Sequence, residues 1–269
     1  MGSGMSVTRE ELRSLSSSID NLMDLGRREE AEKLLNQALE ASADDQAYNL
    51  FFQAEAALYL RGDHRARQLL LSEGVKEAPE DPFLLRNLGG GYLMDERFAK
   101  AHRLFNKALE LDPRNADTLR SLGLFFSAKG RESRAISWFK KAVAVKSDDN
   151  DSLRQIGVCY SKLGNDREAI NWYEQAIASC AEDYDAMRQL GVSWAMLKNY
   201  DTALAWLNKA LQVNTEDLDS KRNLRLVEKK KSGKGTTFID RLMIRLARRM
   251  TLTWRRFIDR IDQLKKDQP

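Results

Sequence analysis

Between Pro82 and Asp217 the apolar positions repeat with a period of 34 residues. An aliphatic–glycine pair recurs at Leu88-Gly89, Leu122-Gly123, Ile156-Gly157 and Leu190-Gly191, and an aromatic follows each glycine by three residues: Tyr92, Phe126, Tyr160, Trp194. Alanine stands twelve residues after each glycine (Ala101, Ala135, Ala169, Ala203), and a large apolar residue sixteen after it (Phe105, Phe139, Tyr173, Leu207). A second alanine stands nineteen after it (Ala108, Ala142, Ala176, Ala210). The columns predict two helices per period. Their small residues let the two approach closely while the aromatic and the large apolar residue fill the space beside that contact. One such hairpin cannot bury its apolar face alone, so neighbours must stack.

The order of these columns resembles the tetratricopeptide repeat, with its period of 34 and its small–aromatic–small pattern. The resemblance implies an all-α fold, a right-handed superhelical solenoid of stacked helix–turn–helix repeats that serves as a binding surface. On this reading residues 1–7 are an expression scar and disordered start, with a natural start at Met5, and 8–231 are the solenoid. Its repeats fall at about 12–45, 48–81, 82–115, 116–149, 150–183 and 184–217, with a capping helix over 218–231. The first two are degenerate. Thr8 and Glu11 form a capping box, and Leu12, Leu15, Ile19 and Leu22 keep helical spacing. Gly26 to Ala31 reads as the inter-helix turn, and Leu34, Leu35 and Ala38 mark the second helix. In 48–81, Glu55 stands in the glycine column and Gly74 in the late-alanine column, while Gly62 and Pro79 end the helices. Residues 232–237 are a Gly-Ser-Lys linker, and 238–269 a helical segment of different character.

The 269 residues are 42% hydrophobic with only 4 prolines, so long helices are unobstructed. Two cysteines, Cys159 and Cys180, give neither a disulfide framework nor a metal motif, and a reducing, cytoplasmic setting is expected, peripheral to a membrane where the tail takes a lipid surface. No secretory signal or membrane-spanning run is read in the sequence. The net charge of +4 conceals a division. Residues 221–269 hold 16 Lys and Arg against 5 Asp and Glu, and the remainder 28 against 35. The body is acidic and the tail basic.

Catalytic chemistry is weakly signalled, and no enzyme, cofactor or metal is expected. Gly89-Gly90-Gly91 sits inside a helical column with no strand before it, so close packing explains it better than a phosphate loop. Gly233-Lys234-Gly235 lacks the Walker spacing. His64 and His102 have no second ligand at helical spacing. Asp148, Asp149 and Asp151 lack the glycine and distal glutamate of a calcium loop and read as turn and capping residues.

A second ladder runs through the repeats. Three residues before each glycine stands an arginine (Arg86, Arg120, Arg154, Arg188), continued in the cap by Arg222, and three before those stands Asp117, Asp151, Asp185 or Asp219, with Phe83 the exception. Residues at i and i+3 share a helix face. In the family this face lines the concave groove, where Leu124, Val158 and Val192, with Gly90, would add an apolar strip. Two compatible readings stand. The arginines bind carboxylates or main-chain carbonyls of an extended or helical partner, or they pair with their own and neighbouring aspartates. Ser16, Asp20 and Phe52 depart from the carboxylate clamps of the family, so a chaperone-tail receptor is not expected.

In the tail, Phe238, Ile239, Leu242, Met243, Leu246, Met250, Trp254, Phe257, Ile258, Ile261 and Leu264 recur at three- and four-residue steps and form one apolar stripe. Arg241, Arg245, Arg248, Arg249, Arg255, Arg256 and Arg260 make the remainder basic. Three surfaces are open to it. It docks on protein (its own solenoid, a second copy or another subunit), or on an anionic membrane, with nucleic acid the least favoured because no reading motif is present. The sequence therefore points to a non-catalytic adaptor that holds a protein or peptide segment in its groove, with a lipid-surface tether as the alternative.

Overall fold

The structure, a computed structural model, describes residues 7–24 and 27–232. Gly26, most of the linker and every tail residue named above lie outside the described residues, while Arg28 to Ala31, read above as part of the inter-helix turn, open the second helix. Among the described residues all regular structure is helical, in thirteen helices that divide into two compact units, residues 1–113 and 114–269. Unit 1 holds α1 (Arg9–Asp24), α2 (Arg28–Ala41), α3 (Gln46–Arg61), α4 (His64–Glu77), α5 (Pro82–Met94) and α6 (Phe98–Leu111). Unit 2 holds α7 (Ala116–Ala128), α8 (Glu132–Val145), α9 (Asn150–Lys162), α10 (Asp166–Ser179), α11 (Tyr184–Met196), α12 (Tyr200–Val213) and α13 (Leu218–Lys231). In each unit every helix packs on the next in sequence, and α9 touches α11 and α11 touches α13. Odd-numbered helices are the first, and even-numbered the second, of each pair.

The pairs start and stop for local reasons. Asp45, Asp81, Asn115, Asp149, Asp183 and Asp217 N-cap the first helices, each side chain accepting from a backbone N–H of the opening turn. Such a cap is worth about 1 kcal/mol. Ahead of α1, Thr8 N–H donates to Glu11 at 2.7 Å and Glu11 N–H to Thr8 Oγ1 at 3.3 Å, the reciprocal box expected. Between first and second helices the chain turns through a left-handed residue at Gly62, Glu96, Gly130, Gly164 and Lys198, all 34 apart. Sequence patterns miss this column because two of its five members are not glycine, though each pays the steric strain of a Cβ there.

The core is the contact that the columns describe. A Cβ built on Gly123 would stand 2.5 Å from the Phe139 ring, one on Gly157 2.6 Å from Tyr173, one on Gly89 2.7 Å from Phe105 and one on Gly191 2.8 Å from Leu207. These four large side chains are fully buried. Each glycine therefore makes room for the large residue sixteen positions later.

Repeat 48–81 solves the same problem differently. Glu55 occupies the glycine column, and Arg67 the place of the alanine twelve residues on. Arg67 Nη2 and Nε donate to Glu55 Oε1 at 2.9 and 3.2 Å, with the side chains only 13% and 6% exposed. A small-on-small contact has been replaced by a buried ion pair. Leu71 and Gly74 keep the rest of the core in register, since a Cβ on Gly74 would meet the Ala47 carbonyl at 3.0 Å.

Candidate functional site

In unit 2 the predicted ladder is assembled on one face of α7, α9, α11 and α13. Each arginine reaches back to the aspartate one turn earlier on its own helix and forward to the next first helix. Arg120 donates to Asp117 at 2.6 Å and to Asp149 at 2.7 Å. Arg154 bonds Asp151, donates to Asp185 at 3.0 Å and stands 3.4 Å from Asp183. Arg188 bonds Asp185, lies 3.2 Å from Asp219 and 3.4 Å from Asp217. Arg222, at the end of the run, pairs with Asp219 at 3.1 Å. The forward partners Asp149, Asp183 and Asp217 are the N-caps themselves, so one carboxylate holds both a helix start and the preceding arginine.

Burial works against the charge of Arg120, Arg154 and Arg188, but the surrounding carboxylates outweigh it and hold each pKa above the ordinary value. The guanidiniums remain charged and stay in place. Arg154→Ala would leave Asp183, whose side chain is 7% exposed, without its counter-charge. The expected loss is about 3 kcal/mol, the low end for breaking a buried pair from one side. Arg222→Ala, at a side chain 43% exposed, should cost less than about 1 kcal/mol. Urea unfolding of the two variants checks this, and equal midpoints would contradict it.

Unit 1 has a counterpart that departs from the columns. Asp81, the cap of α5, is bonded by Arg13 at 3.0 Å, by Tyr48 Oη at 3.1 Å and by Arg9 at 3.4 Å. Arg13 Nε also donates to Tyr48 Oη at 2.6 Å. Burial, then Asp81, pushes the Tyr48 phenol far up, so it stays a donor. Arg86 stands with its guanidinium 5.2 Å from the Phe83 ring centre, and Phe83 stacks on Tyr48 at 5.7 Å. Where aspartate is missing from the ladder, an aromatic ring takes its place beneath the arginine.

The same face of unit 2 carries two further columns. Leu124, Val158 and Val192 lie on it half-buried, with Leu226 in line on α13. Between arginine and apolar residue, one position past each arginine, stand Ser121, Gln155, Gln189 and Asn223. Ser121 donates to the Asp117 carbonyl at 2.8 Å. The carboxamides of Gln155, Gln189 and Asn223 make no hydrogen bond to another described residue. This column escaped the sequence reading because its residue type varies, although its position does not.

Among the described residues nothing comparable assembles around a nucleophile. Cys159 and Cys180 are both free thiols, and burial pushes Cys159 up to about 12. Among the described residues there is no cluster of three or more metal-ligating side chains, and no helix is long and apolar enough to cross a membrane.

Two family descriptions, both for the tetratricopeptide repeat, match this sequence: one over residues 91–152 and 159–218, the other over 20–45. Among solved structures, a thermophilic TPR protein of Thermus thermophilus is similar at 23% identity and a TM-score of 0.59, over 67% of this chain and 98% of that one. The pilF protein of Pseudomonas aeruginosa is similar at 15% and 0.55, over 80% and 96%. A chain of the APC/C hetero-tetramer Cut9-Hcn1 is similar at 14% and 0.64, over 81% of this chain and 46% of that one. No curated protein sequence matches significantly.

Proposed function

The chain belongs to the tetratricopeptide repeat family, and on that premise we propose that it is a non-catalytic adaptor whose first-helix face in unit 2 holds a segment of a partner protein. One observation carries the reading: three carboxamides with no hydrogen-bond partner among the described residues stand beside an apolar strip, on a floor whose arginines are all engaged by aspartates. The arginines and aspartates of the ladder fix the spacing and tilt of the first helices. Gln155, Gln189 and Asn223 then offer both donors and acceptors, and Leu124, Val158 and Val192 offer area to bury. In this reading the stripe from Phe238 to Ile261, with Leu242, Leu246, Met250, Trp254 and Phe257, docks on protein, and the protein works in the cytoplasm.

The test is a titration of the partner that the full chain retains from native lysate. Val158→Glu with Val192→Glu should weaken binding ten- to hundredfold, as expected for losing one or two buried apolar side chains. Glu174→Lys, on the exposed side of α10, should leave it unchanged, and far-UV circular dichroism should be equal in both. Unaltered affinity in the face variant would end the proposal. A chain stopping at Lys231 reads the tail separately: a lower affinity places the tail on the partner, and added liposome binding by the full chain alone places it on lipid.

A further inference from the structure

We infer that the segment this face takes from a separate partner is cationic, an apolar run flanked by lysine or arginine, and not the carboxylate-bearing segment that a row of arginines suggests. The inference rests on the docking face proposed above and adds the charge of what fills it.

What a ligand meets here is decided by exposure, because each arginine of the ladder is already paired. The side chains of Asp117, Asp151 and Asp185 are 29–48% exposed, and those of Arg120, Arg154 and Arg188 only 7–23%. The carboxylates therefore reach solvent further than the guanidiniums that hold them. Numbers tip the same way. From cap to arginine, α7, α9 and α11 carry five aspartates against three arginines. The exposed turn residues ahead of them, Arg114, Lys146, Asp148 and Glu182, cancel. Helix N-termini offset part of the charge on the caps Asp149 and Asp183, so the outward aspartates set the sign. Lys162, the remaining cation of these three helices, is turned aside, donating to Ser127 at 3.0 Å and standing 3.4 Å from Glu132. On α13 the balance reverses, with six Lys and Arg against Asp219 and Glu228. The acidic length of the face is α7 to α11.

An acidic segment would have to take the arginines from carboxylates that the fold holds in place. Arg154 alone faces Asp151, Asp183 and Asp185. A lysine or arginine meets no such competition. An ionised carboxylate has about four acceptor sites, so Asp117 and Asp151 can accept from a ligand without releasing Arg120 or Arg154. Beside them Val158 and Val192 offer apolar area, and Gln155 and Gln189 offer partners for a main chain. A segment that is both apolar and basic uses all three features, whereas a phosphate backbone would be repelled by the carboxylates.

The probe is a displayed library of random twelve-residue peptides selected on the immobilised full chain at about 0.1 M salt, where charges act over ~10 Å. The readout is the net charge of the enriched clones. The inference predicts an excess of lysine and arginine, loss of binding on Val158→Gln with Val192→Gln, and about fivefold weaker binding to the Asp117→Asn, Asp151→Asn chain. In that chain Arg120 and Arg154 keep Asp149 and Asp185 as partners. Glu174→Lys, an equal change of charge on the exposed side of α10, should leave binding as it was. Acidic or uncharged clones lost on the Val→Gln chain, or basic clones indifferent to Asp117→Asn with Asp151→Asn, overturn the inference and leave the docking face standing. Clones indifferent to Val158→Gln with Val192→Gln, or no enrichment, overturn both. A dimer of the full chain that the Val→Gln pair abolishes gives the face to the basic tail of a second copy and overturns the separate partner.

Discussion

Phe139→Ala should destabilise the chain by about 3–5 kcal/mol, the usual cost of truncating a fully buried phenylalanine and leaving its cavity, and Gly123→Ala should destabilise it from the opposite side of the same contact. The Phe139 ring is fully buried, and a Cβ on Gly123 would stand 2.5–2.8 Å from three of its carbons. The ring must then move within a packed interior, at about 1–3 kcal/mol. In an isolated helix the substitution would be favourable by ~1 kcal/mol, so packing and propensity have opposite signs and packing is the larger. Gly90→Ala supplies the contrast, because nothing lies within 4 Å of its added Cβ, and there propensity alone should stabilise the chain by up to about 1 kcal/mol. Combining Gly123→Ala with Phe139→Leu should cost less than the sum of the two. Thermal and urea melts decide the matter, and a Gly123→Ala as harmless as Gly90→Ala would refute the contact as the determinant of the fold.

Glu55→Gly should cost about 3–5 kcal/mol, because it leaves Arg67 buried without its counter-charge. The same substitution restores the residue that the four clear repeats carry, so a reading from columns alone predicts the opposite sign. The structure supplies the reason in the pair of hydrogen bonds from Arg67, whose guanidinium also lies 3.6 Å from the position a Cβ on Gly91 would take. Glu55→Gly with Arg67→Ala rebuilds the small-on-small contact and should recover at least half of the loss, since exchanging a whole buried pair for apolar packing is often neutral. Additive costs in the double variant would contradict the coupling.

These contacts mark how much of the fold was legible beforehand. The 34-residue period located every first and second helix of the four clear repeats, because each column reports one unavoidable steric event, a glycine under a ring. Glu55 is visible as a departure from its column, but a column of small residues carries no sign that its partner is Arg67, in the alanine position twelve residues on. Arg9 and Arg13 were invisible because α1 supplies them from positions off the period, to an aspartate legible only as a helix cap. The ladder was legible in position and open in meaning. Its arginines are engaged by carboxylates on adjacent helices, so substituting Arg120 or Arg154 perturbs packing along with any docking, and the carboxamides and valines are the cleaner probes.

The central claim is that the first-helix face of unit 2 is where a partner segment lies. Hydrogen exchange of the full chain, free and saturated with its captured partner, tests it most directly. The account predicts added protection in α7, α9 and α11, and none in α8, α10 and α12. Protection confined to the second helices, or spread evenly over both sets, would contradict it.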